Sequence, residues 1–132
     1  MNILEKIKNK ELIPIGWGTG LMFRNRKGIH DFDVAFTIHT KNNIISINKI
    51  SVHQPEILDT IDRKKYILIA YTIDYLDFIY NYCQRFDDLM ILPFNDHQLE
   101  IQAKLKKVTK RNFVFQNWGV FYENFSEPNN VK

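Results

Sequence analysis

The sequence predicts an α+β domain with a mostly antiparallel sheet of about six strands, one covering helix and a short N-terminal helix. Three observations predict this class. Apolar and polar residues alternate over residues 32–39 and 99–106, as in half-buried strands. Apolar residues recur at helical spacing over residues 74–86, which predicts the covering helix. Residues 66–72 form a short apolar run that is typical of a strand buried on both faces.

The composition is that of one ordinary globular domain. The chain has 132 residues, of which 45% are hydrophobic and 25% are charged. We expect residues 1–125 to form a single globular domain and residues 126–132 to be a frayed tail. The single cysteine, Cys83, leaves no partner for a disulfide within the chain. The longest uncharged apolar run, residues 67–71, is too short to span a bilayer, so we expect a cytoplasmic protein that does not bind membranes.

The first part of the chain predicts a helix followed by a glycine-rich strand. A capping-box pattern at Asn2 and Glu5 predicts a helix over residues 2–11. The segment GWGTG at residues 16–20 fits neither a dinucleotide-binding fingerprint nor a P-loop. A bulged or turning strand is therefore favoured there over a phosphate cradle.

The alternation continues into a predicted hairpin. Residues 32–39 form its first strand, residues 41–43 its turn, and Ile45 and Ile47 lie on the returning strand, with a bulge near Lys49.

The second half of the chain predicts the covering helix and further strands. Thr72 is a candidate cap for the helix over residues 74–86. Residues 89–94 contain a further predicted strand, which ends at Pro93. Predicted strands over 99–106 and 113–125 follow.

Residues 104–111 read KLKKVTKR, which carries five positive charges and no acid. The first lysines lie on the polar face of a strand and the later residues form the turn after it. A second basic turn covers residues 24–27. Clustered Lys and Arg side chains bind the phosphates of a polyanion. The predicted nucleic-acid-binding residues are Lys104, Lys106, Lys107, Lys110, Arg111, Arg24, Arg26 and Lys27.

The charge is unevenly distributed along the chain. Residues 1–30 hold six Lys/Arg and two acids, residues 31–100 hold six and eleven, and residues 101–132 hold six and two. Basic ends therefore flank an acidic middle, and together they would steer a polyanion. The pattern favours a small regulatory protein that binds DNA or RNA, with DNA preferred. An alternative from another class is an inhibitor or accessory factor of phage or plasmid type that binds a protein.

No catalytic motif names a reaction, and neither a metal nor a cofactor is predicted. The histidines lack the spacing of a zinc site, and no nucleophile elbow is present. The remaining enzyme alternative is a metal-dependent nuclease with Asp88 and Glu100 as ligands. Gln102 stands where such enzymes carry a lysine, and Lys104 lies one step further along the same face.

At Lys49-Ile50-Ser51, followed by Pro55, Ile57, Leu58 and Asp59, the chain resembles the bacterial competence transcription factor (ComK) family. Phe94-Asn95-Asp96 and Leu99-Glu100 resemble that family's Phe-Asn-Gly hairpin, and the resemblance covers about residues 45–120. It implies a cytoplasmic, self-associating transcription regulator that binds AT-rich DNA largely from the minor groove. Residues 104–111 would then contact phosphates, and the shape of the groove would carry much of the specificity.

Overall fold

The computed structural model describes residues 3–94 except residues 31, 42 and 73. The helices are α1 (Ile3–Lys8), α2 (Leu21–Arg24) and α3 (Leu76–Cys83). The strands are β1 (Ile13–Trp17), β2 (Thr37–Ile38), β3 (Ser46–Ile47), β4 (Ile50–His53), β5 (Tyr66–Ala70) and β6 (Met90–Pro93). Short 3₁₀ helices cover Arg26–Gly28, Pro55–Asp59 and Arg63–Lys65. The predicted strands over 99–106 and 113–125 and the tail from residue 126 lie outside the described residues.

The strands form one six-stranded sheet in the order β3-β4-β2-β1-β5-β6. The predicted mixed α and β content is confirmed and the described residues contain a six-stranded sheet, but the prediction that the sheet is mostly antiparallel is wrong. β1 is parallel to β2 and β5, β2 is parallel to β4, and β5 is parallel to β6. Only the pairing of β3 with β4 is antiparallel within the described residues. Alternation shows which side chains are buried, but it carries no information about the direction of the neighbouring strand.

The predicted hairpin between residues 32–39 and Ile45–Ile47 is also wrong. The antiparallel pair is instead β3 and β4, and the two residues between them, Asn48 and Lys49, have φ angles of 51° and 68°. Positive φ at both central residues matches the type I′ turn that joins two-residue hairpins. The change of apolar phase near Lys49 therefore marks a turn and not a bulge.

Helices cover both faces of the sheet, whereas the sequence predicted one covering helix. On one face α3 and the 3₁₀ helix over Pro55–Asp59 pack against Leu68 and Ala70 of β5. On the other face α1 and α2 pack against Ile67 and Ile69 of the same strand. All four of these β5 side chains are fully buried, as expected for a parallel strand covered on both sides.

The helices at residues 2–11 and 74–86 and the strands at 66–72 and 89–94 were predicted correctly in type. In α3 the apolar stripe Leu76, Ile79, Tyr80 and Cys83 is buried, as its helical spacing requires. The Tyr75 N–H donates to the Thr72 hydroxyl at 3.4 Å, but the N-cap of α3 is Tyr75 and not Thr72, so Thr72 orders the turn before the helix without capping it. Among the described residues, no helix is both long enough and apolar enough to cross a membrane.

The Cys83 thiol is predicted to be inert in the folded protein. Cys83 is the last residue of α3 and faces the core, and burial raises the pKa of its thiol to about 12. Because the thiolate is the reactive form, we expect iodoacetamide at pH 8 to label the native protein on the order of a hundredfold more slowly than the protein in guanidinium chloride. Mass spectrometry of timed samples measures both rates. Stoichiometric labelling of the native protein within minutes would contradict this packing.

Candidate ligand-binding site

The order of the strands along the sheet reverses between β1 and β5. These strands are parallel neighbours over their full length, from Ile13 opposite Tyr66 to Trp17 opposite Ala70. After β1 the chain enters α2, which packs on one face through Phe23. After β5 it enters α3, which packs on the opposite face. Two neighbouring strands whose helices leave to opposite faces create a crevice outside their carboxyl ends.

The parallel strands follow a known order. When they are numbered along the chain and β3 is left out, the sheet reads 3-2-1-4-5. This is the order of doubly wound dinucleotide-binding sheets over their first five strands, and such sheets bind ligands where the order reverses. The crevice at β1 and β5 is therefore the candidate functional site, and we call it the switch-point crevice.

Two glycines beside this crevice are required by packing. A Cβ atom on Gly16 would lie 2.9 Å from the Thr37 Oγ1 atom and 3.0 Å from the Tyr71 ring. Gly18 has a φ of +132°, and its Cβ atom would lie 2.9 Å from the Tyr71 carbonyl oxygen. These two residues let β1 and its continuation lie tightly between β2 and β5.

Gly20 is different, because no heavy atom lies within 4 Å of the position its Cβ atom would take. The preceding residues are fixed: the Gly18 N–H donates to the Ile38 carbonyl at 2.9 Å, and the Gly18 carbonyl accepts from the Thr37 hydroxyl at 2.8 Å. Within the described part of the chain, the N–H groups of Thr19 and Gly20 have no hydrogen-bond acceptor. The loop over residues 18–20 thus offers two backbone donors and an open approach, which suits an anion.

This loop departs from the dinucleotide-binding fingerprint G-x-G-x-x-G. With Gly18 and Gly20 as the first two glycines, the third position is Phe23, which is fully buried with its ring 5.3 Å from that of Tyr71. The third glycine normally allows close packing of helix against strand. The bulky ring keeps α2 from such an approach, and α2 has only four residues. Anion binding here therefore depends on the loop and its side chains and not on a long helix.

Two nitrogen-bearing side chains converge on Thr19 in this loop. The Nδ1 atom of His39, the first residue after β2, lies 3.3 Å from the Thr19 Oγ1 atom. The Arg24 Nε atom donates to the Thr19 carbonyl at 3.1 Å. Thr19 is buried, His39 is half-buried, and Arg24 is exposed. This side of the crevice is consequently basic.

Aromatic rings lie on the α3 side. Phe78 is 48% exposed, and its ring centroid lies 6.1 Å from that of Trp17, the last residue of β1. Tyr82 contacts Trp17 with its ring centroid at 5.6 Å. Tyr75, which precedes α3 directly, is 69% exposed. The exposed Phe78 ring beside Trp17 provides a surface on which a planar group can stack.

A buried polar pair supports the loop from beneath. The His30 Nε2 atom lies 2.8 Å from the Tyr71 hydroxyl oxygen. Burial, reinforced by the neighbouring Arg26 charge, lowers the pKa of His30 to about 3. Burial also raises the pKa of Tyr71 well above its usual value. Both groups are therefore neutral at physiological pH.

The predicted basic turn at residues 24–27 does not form one charged surface. Arg24 is exposed beside the crevice, and Lys27 is exposed with its Nζ atom 2.9 Å from the Asp33 carboxylate. Arg26 is only 3% exposed, donates to the Phe23 carbonyl at 2.9 Å, and covers the Phe23 ring at 4.0 Å. Its position in the core leaves Arg26 unable to reach an external phosphate. The other five predicted residues, Lys104, Lys106, Lys107, Lys110 and Arg111, lie outside the described residues.

Asp88, the first ligand of the proposed nuclease site, has a structural partner. The Arg63 Nε atom lies 2.7 Å from its carboxylate, and this hydrogen bond lowers the pKa of Asp88. Asp88 precedes β6 and so lies at the amino edge of the sheet, opposite the switch-point crevice. Glu100 lies outside the described residues. No group of three His, Cys, Asp or Glu side chains that could hold a metal occurs in the described part of the chain.

Comparisons with protein-family models, with curated proteins and with solved structures found no match. The resemblance to the competence transcription factor family therefore stays a prediction from the sequence. Thr19, Gly20 and His39 were not predicted as site residues from the sequence. Glycines directly after a strand could have indicated them, had the strands been taken as parallel.

Proposed function

We propose that this protein binds a nucleotide-class small molecule in the switch-point crevice. The observation that carries the proposal is the divergence of α2 and α3 to opposite faces from the adjacent parallel strands β1 and β5. The donors at residues 19 and 20 suit the phosphate, and the exposed Phe78 ring beside Trp17 suits the base.

The test is a thermal-shift and calorimetric titration with ADP, UDP, NAD⁺ and NADP⁺. A ligand that binds only the folded state raises its stability by about 2.7 kcal/mol at a concentration a hundredfold above Kd. We expect at least one of the four to raise the melting temperature with saturable dependence. Failure of all four at millimolar concentration would overturn the proposal.

Gly20→Asp is the variant that tests anion binding by the loop over residues 18–20. Gly20 is the N-cap residue of α2, with φ −84° and ψ −156°. Aspartate adopts this conformation readily and is a preferred N-cap residue, so the variant should fold. The new carboxylate would occupy the open approach and repel a phosphate, so we expect binding to weaken by about tenfold or more with stability unchanged. Gly28→Asp makes the same change at another glycine with open surroundings and should leave binding intact.

Nucleic-acid binding is a second candidate function, and the observation that favours it is the basic stretch at residues 104–111. Five Lys and Arg side chains within eight residues suffice for several phosphate contacts, each of which steepens the salt dependence of binding by about 0.9 in a log-log plot. DNA binding as a regulator would follow from these contacts, as the resemblance to the competence factors implies.

Fluorescence anisotropy with labelled duplex and single-stranded oligonucleotides at several salt concentrations tests this candidate. Replacing Lys106, Lys107, Lys110 and Arg111 by Gln should weaken binding and flatten the salt dependence. A control that replaces Lys8, Lys10, Lys64 and Lys65 by Gln removes the same charge elsewhere and should have a smaller effect. No binding at low salt, with co-purification of one protein, would favour the protein-binding alternative.

A further inference from the structure

In nucleotide-binding sheets of this strand order, the residue at the end of the second strand governs ribose recognition. In sheets of this strand order that bind NAD, an Asp or Glu about twenty residues after the glycine loop accepts hydrogen bonds from the ribose hydroxyls. Here His39 follows β2 directly and comes nineteen residues after Gly20. An imidazole offers at most one acceptor where a carboxylate offers two oxygens, so it is poorly suited to hold a free diol.

The surroundings of His39 are basic. Its Nδ1 atom and the Arg24 Nε atom lie 3.3 Å and 3.1 Å from the two oxygens of Thr19, one on each. Both side chains therefore meet at the loop that offers the backbone donors. The His53 carbonyl of β4 accepts the His39 N–H at 2.9 Å, while the His53 ring packs against Phe36 in the cluster under α3 and does not join this group. Lys41, two residues after His39 in the sequence, is exposed.

The acids that the structure describes in this region do not pair with His39 or Arg24. Asp33 pairs with Lys27 at 2.9 Å. Glu56 is exposed on the 3₁₀ helix that follows β4. No carboxylate of the described residues forms a hydrogen bond or ion pair with His39 or Arg24. In such surroundings an arginine beside the β2 end takes a ribose phosphate.

From this arrangement we infer that the switch-point crevice selects a nucleotide whose ribose carries a phosphate over the same nucleotide with a free diol. Arg24 and His39 are the specificity-determining residues, and they donate to the ribose phosphate. The inference rests on the proposed nucleotide binding and adds the class of ligand to it. Because the free diol lacks the charge-assisted hydrogen bonds that the phosphate accepts, the preference is expected to be about tenfold or larger.

NADP⁺ and NAD⁺ are the matched probes, because they differ only in the ribose phosphate. Isothermal titration calorimetry on the full chain should give a Kd for NADP⁺ about tenfold or more below that for NAD⁺. Arg24→Gln should raise the Kd for NADP⁺ by a larger factor than the Kd for NAD⁺, because it removes a donor to the ribose phosphate in addition to its bond with the loop. His39→Asp should reverse the preference, since the new carboxylate accepts from the diol and repels the phosphate. Lys64→Gln removes one positive charge, as Arg24→Gln does, but at the amino end of β5. It should preserve the preference for NADP⁺.

The outcomes separate the two proposals. If NAD⁺ binds as tightly as NADP⁺ or more tightly, the inference is overturned while nucleotide binding stands. If ADP or UDP binds and neither dinucleotide does, the inference is overturned as well. If none of the four ligands binds, both proposals fail together. The melting temperature of each variant shows whether a lost preference reflects lost folding.

Discussion

Replacing Gly18 by Ala is expected to destabilise the protein by about 3 kcal/mol or more. The φ of +132° at this position is one that L side chains rarely adopt, and the added Cβ atom would lie 2.9 Å from the Tyr71 carbonyl oxygen. The clash is with backbone, so no side-chain rotation relieves it. Either β1 and β5 separate at their carboxyl ends, or the loop over residues 18–20 changes course.

Urea denaturation followed by circular dichroism measures the change in the free energy of unfolding. In a thermal melt, the melting temperature should fall by about 10 °C. Gly28→Ala is the control, because its Cβ atom would meet no atom within 4 Å and it should change stability by less than about 1 kcal/mol. Equal stability of the two variants would show that the close approach of Gly18 to Tyr71 is wrong.

The sequence predicted the strands and helices better than their arrangement. The run at residues 66–72 and the stripe at 74–86 depend on burial, which local pattern reports directly. The direction of neighbouring strands depends on how connections cross the sheet, and no local pattern reports that. Treating residues 32–39 as half of a hairpin hid the parallel pairing of β2 with β1.

The candidate site was missed for the same reason. Gly16, Gly18 and Gly20 look alike in the sequence, yet the first two are explained by Thr37 and Tyr71, and only Gly20 is open. Whether a glycine is required by packing or leaves an open approach depends on its distances to Thr37 and Tyr71, which lie about twenty and about fifty positions away in the sequence. Arg26 shows the converse, because a basic side chain in a predicted turn is buried over the Phe23 ring.

The packing around Arg26 also has consequences for stability at low pH, through His30. In the folded protein, burial and the Arg26 charge lower the pKa of His30 from 6.5 to about 3. The unfolded chain therefore binds a proton at this histidine between pH 6.5 and pH 3, and the folded protein does not. The free energy of unfolding is highest above pH 6.5 and falls as the pH drops through this window.

Between pH 6.5 and pH 4.5 we expect a loss of about 2 kcal/mol, measured by urea denaturation at half-unit steps of pH. This interval lies above the usual pKa of the carboxyl groups, so the Asp88–Arg63 and Asp33–Lys27 pairs contribute little to it. The double variant His30→Phe/Tyr71→Phe removes the titrating ring together with its 2.8 Å hydroxyl partner and leaves no unpaired hydroxyl behind. Its stability should be nearly independent of pH over the same interval. A parent protein with equally flat stability would show that His30 reaches water, and the support of the loop by the His30–Tyr71 pair would then have to be abandoned.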